Sequence, residues 1–210
     1  MNVMESKDTN YKKSYSNKGT ILVSKNDEAN PISKEDLNEL LSCCNKVEKE
    51  FIEIGDAGES NNLLVGRFMT DVKKPEVVKN PFSEKVISIL GKKKVFDFIK
   101  KISGSDGNLF LRRVQFNQID KGNFVGYHLD TDSNPDYLAA CVIQLGSDYT
   151  GGKYRVYQSD GTFNDFVSGF GDLIISNCNY AHEVTKVESG NRKSLVFFVS
   201  KEAGKNKRNN

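Results

Sequence analysis

The sequence predicts a mainly β fold with flanking helices: a double-stranded β-helix, or jelly-roll, core with N-terminal helices packed on one sheet. Two observations predict it. From about Leu109 onward, short segments rich in Val, Ile, Phe and Tyr are separated by Gly, Asp, Asn and Ser turns. Many short strands at regular spacing argue for a sandwich or barrel, and a jelly roll shields their edges. Before that point, apolar residues recur mostly at helical spacing instead.

Taken in order, residues 1–18 are rich in Asn, Lys and Ser and are expected to form a disordered polar tail. Gly19 to Ser24 reads as a short strand. Ser33 with Asp36 marks a helix start. Leu37, Leu40, Leu41, Cys44, Val47, Phe51 and Ile54 then follow at helical spacing. Leu63 to Met69 reads as another strand. A second helix follows Pro81 and stops at Gly91; a third carries Val95, Phe96, Phe98, Ile99 and Ile102 and ends near Gly104. The strand-like segments of the second half are Leu109–Asn117, Phe124–Leu129, Leu138–Leu145, Gly152–Gln158, Asp172–Ser176, His182–Val187 and Lys193–Val199. Residues 19–200 thus make one domain with its core at 109–200, and residues 201–210 a frayed basic tail.

Composition narrows the function classes. A net charge of +2, from 30 basic and 28 acidic residues, gives no basis for nucleic-acid or anionic-membrane binding. No apolar run approaches the roughly 20 residues of a membrane span, and the N-terminus lacks the apolar stretch of a secretory signal. Cys43 and Cys44 are adjacent, and Cys141 and Cys178 fall in strand-like segments. That usage predicts reduced thiols and a cytoplasmic protein.

The chain has only two histidines. His128 opens His128-Leu129-Asp130, and His182 follows 52 residues after Asp130. On an extended strand, residues i and i+2 share a face, so His128 and Asp130 can grip one ion while Leu129 points away. Two imidazoles and one carboxylate leave half an octahedron open, a donor set that suits non-haem Fe(II). Arg192 lies ten residues beyond His182, and Ser194 points the same way. A planar guanidinium holds a carboxylate through two parallel hydrogen bonds.

These residues stand in a wider pattern. Gly122-Asn123-Phe124-Val125-Gly126-Tyr127-His128-Leu129-Asp130, Gly151-Gly152-Lys153-Tyr154 and Gly171-Asp172-Leu173-Ile174-Ile175 occur in that order. His182-Glu183-Val184 with Val187, Gly190, Arg192 and Ser194 closes it. Together they resemble the Fe(II)/2-oxoglutarate-dependent dioxygenases and, within them, the prolyl 4-hydroxylase-like branch.

The resemblance implies a metal site of His128, Asp130 and His182, and 2-oxoglutarate held through Arg192 and Ser194. It implies O2 as oxidant, release of succinate and CO2, and hydroxylation of a substrate C–H. Ascorbate is implied as a rescuer of oxidised iron. Where the family often places tyrosines, this chain has Gln144 and Phe116, so Gln144, and Asn117 or Gln115, are candidate polar contacts. Tyr127 is a candidate lining residue. The expected substrate is a peptide, protein or free amino acid. Another small molecule, or a cupin-like binding module without activity, are the alternatives. Thr131–Tyr137 and Leu63–Val72 are the segments expected to meet the substrate. The oligomeric state is not legible.

Overall fold

The computed structural model describes residues 7–208. Its first element corrects an expectation. Residues 7–18 are not a disordered tail but helix α1 (Lys7–Lys18). Tyr11 and Tyr15, four residues apart, give this polar stretch one apolar face. Tyr15 is buried, and Tyr11 meets Phe98 edge-on with ring centroids 6.4 Å apart. Gly19 ends the helix at φ +70°, where any Cβ would strike the Tyr180 ring. Residues 1–6 of that expected tail lie outside the described residues.

Strand β1 (Thr20–Val23) leads to helix α2 (Lys34–Lys46). Ser33 caps α2 by accepting the Asp36 N–H at 3.2 Å. The apolar stripe expected to run on to Ile54 stops here, because Val47 turns extended. Phe51 and Ile54 instead stand exposed on β2 (Glu50–Ile54), a hairpin partner of β3 (Ser60–Asp71). β4 (Pro75–Val77), α3 (Ser83–Leu90) and α4 (Lys93–Ser103) complete the N-terminal half. α4 closes on Gly104 at φ +70°, a left-handed C-cap that suits glycine.

The second half supplies β5 (Phe110–Asp120), β6 (Val125–His128), β7 (Tyr137–Gln144), β8 (Tyr149–Gly151) and β9 (Tyr154–Tyr157). β10 (Phe163–Phe166), β11 (Leu173–Asn177), β12 (His182–Val184) and β13 (Val187–Ser200) follow. The strands run β1-β11-β7-β13-β5-β3-β6-β12-β9-β10. β3 meets β6 at the single pair Asn61↔Val125, and there the structure folds from a large sheet into a small one. This is the jelly roll.

Side-chain alternation explains the layers. On β13, Leu195, Phe197 and Val199 face the helices; so do Val114 and Phe116 of β5 and Ala139, Cys141 and Ile143 of β7. The intervening residues Arg192, Ser194, Val196, Phe198, Arg113, Gln115, Asn117, Ala140 and Val142 line a cavity between the two sheets. Leu63, Val65, Ile119, Val142, Tyr154, Val156 and Val184 form the second core around it.

One buried node ties distant segments together. Arg112 grips Asp71 through Nε and Nη2, each at 3.0 Å, with both side chains fully buried. Asn134 Nδ2 donates to the same carboxylate at 2.8 Å, and Arg112 Nη1 donates to the Glu202 carbonyl at 2.6 Å. Asn206 Nδ2 reaches the Asp71 and Ser133 carbonyls at 2.7 and 3.1 Å. The basic tail is therefore docked through residue 208, not frayed. Asn206 supplies a buried amide that the run of charges around it conceals. Arg208 adds a hydrogen bond to the Asp56 carbonyl and Lys207 one to Asp136.

Candidate active site

β6 and β12 are antiparallel neighbours, and their register sets His128 directly opposite His182. The two rings lie 4.3 Å apart, centroid to centroid. Leu129 is extended, so Asp130 turns back to the face that His128 occupies and then opens a 3₁₀ turn, Asp130–Asp132. Ser133 Oγ, Ser133 N and Asn134 N all donate to the Asp130 carbonyl, at 2.8, 3.0 and 3.3 Å. The ligand atoms of the three residues lie within 4.8 Å of one another.

Their hydrogen bonds prepare them for a cation. His128 Nδ1 sits 2.8 Å from the Gly126 carbonyl, and His182 Nδ1 3.1 Å from that of Tyr180. A carbonyl can only accept, so each Nδ1 carries a proton and each ring turns its Nε2 toward Asp130. The Nε2 atoms stand 3.5 and 3.7 Å from the Asp130 oxygens. Asp130 Oδ2 is buried without a hydrogen-bond partner.

Burial pushes the His182 pKa down and so favours the neutral ring. Burial alone would raise Asp130, but His182, His128 and Arg113 outweigh it and hold the carboxyl below its ordinary range. Two imidazole nitrogens and one orphaned carboxylate oxygen fit a divalent metal of the Fe(II) type.

Arg192 lines the same cavity. It is 2% exposed. Nη1 donates to Ser194 Oγ at 3.1 Å, while Nε and Nη2 are buried with no hydrogen-bond partner among the described residues. Burial pushes its pKa down, as expected for a cation without a counterion. Gly151 and Gly152 turn the chain beside it at φ +71° and +57°; a Cβ on Gly152 would lie 3.0 Å from Arg192 Cδ. An unpaired buried guanidinium costs several kcal/mol unless an anion joins it, by the order of magnitude for lone buried charges. The free Nε–Nη2 edge fits the far carboxylate of 2-oxoglutarate.

Other sequence-derived candidates fall elsewhere. Tyr127 does not line the cavity. It neighbours His128 on a strand and so points to the opposite face, 61% exposed and edge-on to Tyr157. Gln144 is buried, but its Nε2 donates to the Gly146 carbonyl and its Oε1 accepts from Ser168, so its amide is engaged outside the cavity. Phe116 faces the helices, while Gln115 and Asn117 line the cavity with Gln115 Nε2 donating to Asn117 Oδ1 at 2.9 Å. Of the two segments expected near the substrate, Leu63, Val65 and Arg67 line the cavity and Thr131–Tyr137 does not.

Sequence reasoning missed Tyr154, whose ring stacks on His182 at 5.0 Å and whose hydroxyl is buried without a partner. Burial holds that phenol well above its ordinary pKa, so it remains a donor. Its signal lay in the double-glycine turn just before it. Arg113 was missed too, although the polar alternation Arg113, Gln115, Asn117 along β5 marks a polar inner face.

Comparison with known proteins agrees with this geometry. Residues 114–200 match the family model of the 2OG-Fe(II) oxygenase superfamily. No curated protein matches the chain by sequence. Among solved structures, an oxidoreductase of the 2OG-Fe(II) oxygenase family from Burkholderia pseudomallei superposes with a TM-score of 0.88 at 31% identity, over 99% of this chain and 97% of that one. A Pseudomonas putida prolyl-4-hydroxylase shares the fold at a TM-score of 0.63 and 15% identity, over 93% and 99% of the two chains. A prolyl hydroxylase from Trichoplax adhaerens, solved with a peptide fragment of the hypoxia inducible factor oxygen degradation domain, does so at 0.66 and 14%, over 92% and 89%. With the triad, the buried arginine and the jelly roll in one frame, and a full-length relative at this identity, the chain belongs to the 2OG-Fe(II) oxygenase family.

Proposed function

We propose that this oxygenase is a hydroxylase of an unactivated C–H, prolyl 4-hydroxylase-like, acting on a peptide, protein or free amino acid. One observation carries the reading. Of the 11 buried side-chain polar atoms without a partner among the described residues, seven belong to residues lining this one cavity. Buried polar atoms are rarely left unpaired, so a cavity that collects them is shaped for polar ligands.

In this reading His128 and His182 bind the metal through Nε2, and Asp130 through Oδ2. Fe(II), 2-oxoglutarate and O2, when bound, supply the oxidation, with succinate and CO2 released and one oxygen atom delivered to the substrate. The Gly126 and Tyr180 carbonyls fix the imidazole tautomers. The Ser133 hydroxyl and the turn amides fix the Asp130 backbone. Arg192, steadied by Ser194, would hold the far carboxylate of 2-oxoglutarate, and Tyr154 would offer a further donor from the facing sheet. Val65, Val125, Val142 and Val184 wall the site and exclude water, which strengthens each charged contact inside it.

The test is to load the protein with Fe(II) without oxygen, admit 2-oxoglutarate and O2, and measure succinate. Prolyl peptides and free amino acids are added in turn, with and without ascorbate as the proposed rescuer of oxidised iron. His128→Ala is the control. Iron-dependent succinate that rises with one panel member and vanishes in the variant supports the reading. No succinate from protein with Fe(II) bound would refute it.

A further inference from the structure

Three guanidinium groups line the cavity. Arg67 spends its Nε on Glu50, whereas the other two leave the same edge free. Arg192 engages Nη1 with Ser194 and leaves Nε and Nη2 unpaired. Arg113 engages Nη1 with Asp56 Oδ2 at 2.5 Å; its Nε is buried without a partner, and among the described residues no hydrogen bond reaches its Nη2. The Nε–Nη2 edge is the one that takes a carboxylate side-on. Arg112, one residue away on the opposite face of β5, holds Asp71 in that way.

Arg113 is also held in place. Its guanidinium lies over the Phe198 ring at 4.3 Å and within 6.0 Å of Tyr137. Asp56 accepts a second contact from Arg67 Nη1 at 3.5 Å, and Arg208 donates to the Asp56 backbone. A surface arginine has no such frame. Arg113 lines the same cavity as His128, Asp130 and His182. In the same cavity, Gln115 Oε1 and Asn61 Oδ1 are buried acceptors without donors among the described residues.

2-Oxoglutarate has one carboxylate distant from its metal-chelating end, and Arg192 suffices for it. Resting on the dioxygenase reading above, we propose that Arg113 binds a carboxylate of the primary substrate, with Gln115 and Asn61 accepting its N–H groups. The substrate class is then an amino acid or peptide that presents a carboxylate close to the C–H to be oxidised. A free α-carboxylate and an acidic side chain are the two sources of that group.

The experiment uses protein loaded with Mn(II) and N-oxalylglycine, an unreactive mimic of 2-oxoglutarate, and reads ligand affinity by calorimetry. The probes are free L-amino acids, the same amino acids as carboxamides, and C-terminally amidated prolyl tripeptides with and without an aspartate. Carboxylate probes are expected to bind roughly 10- to 100-fold more tightly than their neutral partners, the range for charge-assisted hydrogen bonds. Arg113→Gln removes that difference and keeps the affinity for N-oxalylglycine. Free amino acids ahead of aspartyl tripeptides identify the α-carboxylate as the source; the reverse order identifies the side chain.

The inference is overturned if carboxamides bind as well as acids, if no carboxylate probe binds, or if Arg113→Gln leaves acid binding within twofold. The acid–amide comparison needs only the unmodified protein, so a poorly folding variant does not weaken the test. Failure of N-oxalylglycine itself to bind the metal-loaded protein would refute the dioxygenase reading instead, a separate outcome.

Discussion

Replacing Arg112 with methionine tests the node that ties the docked tail to the turn that follows Asp130. The Arg112 and Asp71 side chains are both 0% exposed, and two hydrogen bonds of 3.0 Å join them. Methionine fills much of the same space, so the loss is electrostatic rather than a cavity. Asp71 would lose both guanidinium contacts and keep the Asn134 amide for a carboxylate removed from water. Breaking a buried pair on one side costs about 3–5 kcal/mol. For a domain of this size each kcal/mol lowers the melting temperature by about 2–4 °C, so a fall of roughly 6–20 °C is expected.

Urea unfolding followed by circular dichroism measures the free energy, with an unchanged slope confirming that the same surface unfolds. The double variant Arg112→Met with Asp71→Leu removes both charges and is expected to recover part of the loss; the Asn134 amide left unpaired then costs about 1–3 kcal/mol. A single variant that loses less than about 1 kcal/mol, below the range for a broken buried pair, would refute the reasoning. So would a double variant whose loss equals the sum of the two single losses.

Asp36 lies under Lys92 and Lys94, at 2.5 and 3.3 Å. Burial raises its pKa, but the two ammonium groups and Ser33 outweigh burial and hold it below the ordinary carboxylate range. Its contribution to stability is therefore full above that range and lost as pH falls through the lowered value; Asp36→Asn should flatten the acid limb of stability against pH, and parallel curves would count against this. Gly152→Ala places a methyl 3.0 Å from Arg192 Cδ at φ +57°. Left-handed backbone costs a non-glycine residue about 1–2 kcal/mol. Calorimetry should show weaker 2-oxoglutarate binding with Mn(II) affinity retained, whereas equal binding would mean that Arg192 does not need this contact. Ending the chain after Gly204 removes Asn206 and leaves the Asp71 and Ser133 carbonyls without their donor. A loss of about 1–3 kcal/mol is expected in urea unfolding, and an unchanged midpoint would show the tail to be dispensable.

The triad was legible because its chemistry uses rare residues at strand spacing: both histidines of the chain meet at one register pair. Arg192 was legible because an inward strand position fixes its direction. Tyr127 misled because adjacency along the chain suggests adjacency in space, while a strand sends neighbours to opposite faces. Gln144 does sit on the inward face of β7, but at the strand end, where the Gly146 turn and Ser168 claim its amide; strand parity alone cannot foresee such a competitor. The two ends were misread for a common reason. Tyr15 and Asn206 are each a single buried side chain within polar surroundings, and averages over a window hide one residue that packs.

β13 is the last strand in the sequence, yet it sits in the middle of the large sheet, bonded to β5 on one side and β7 on the other. During synthesis those two strands emerge before the strand that separates them. Until residues 187–200 leave the ribosome, β5 and β7 each present an unpaired edge, and Arg192 does not yet exist to meet its ligand. The large sheet must therefore wait for β13 to close, and unpaired edges are the surfaces that aggregate. Nascent chains stalled before residue 187 should need chaperone cover that released chains containing β13 do not.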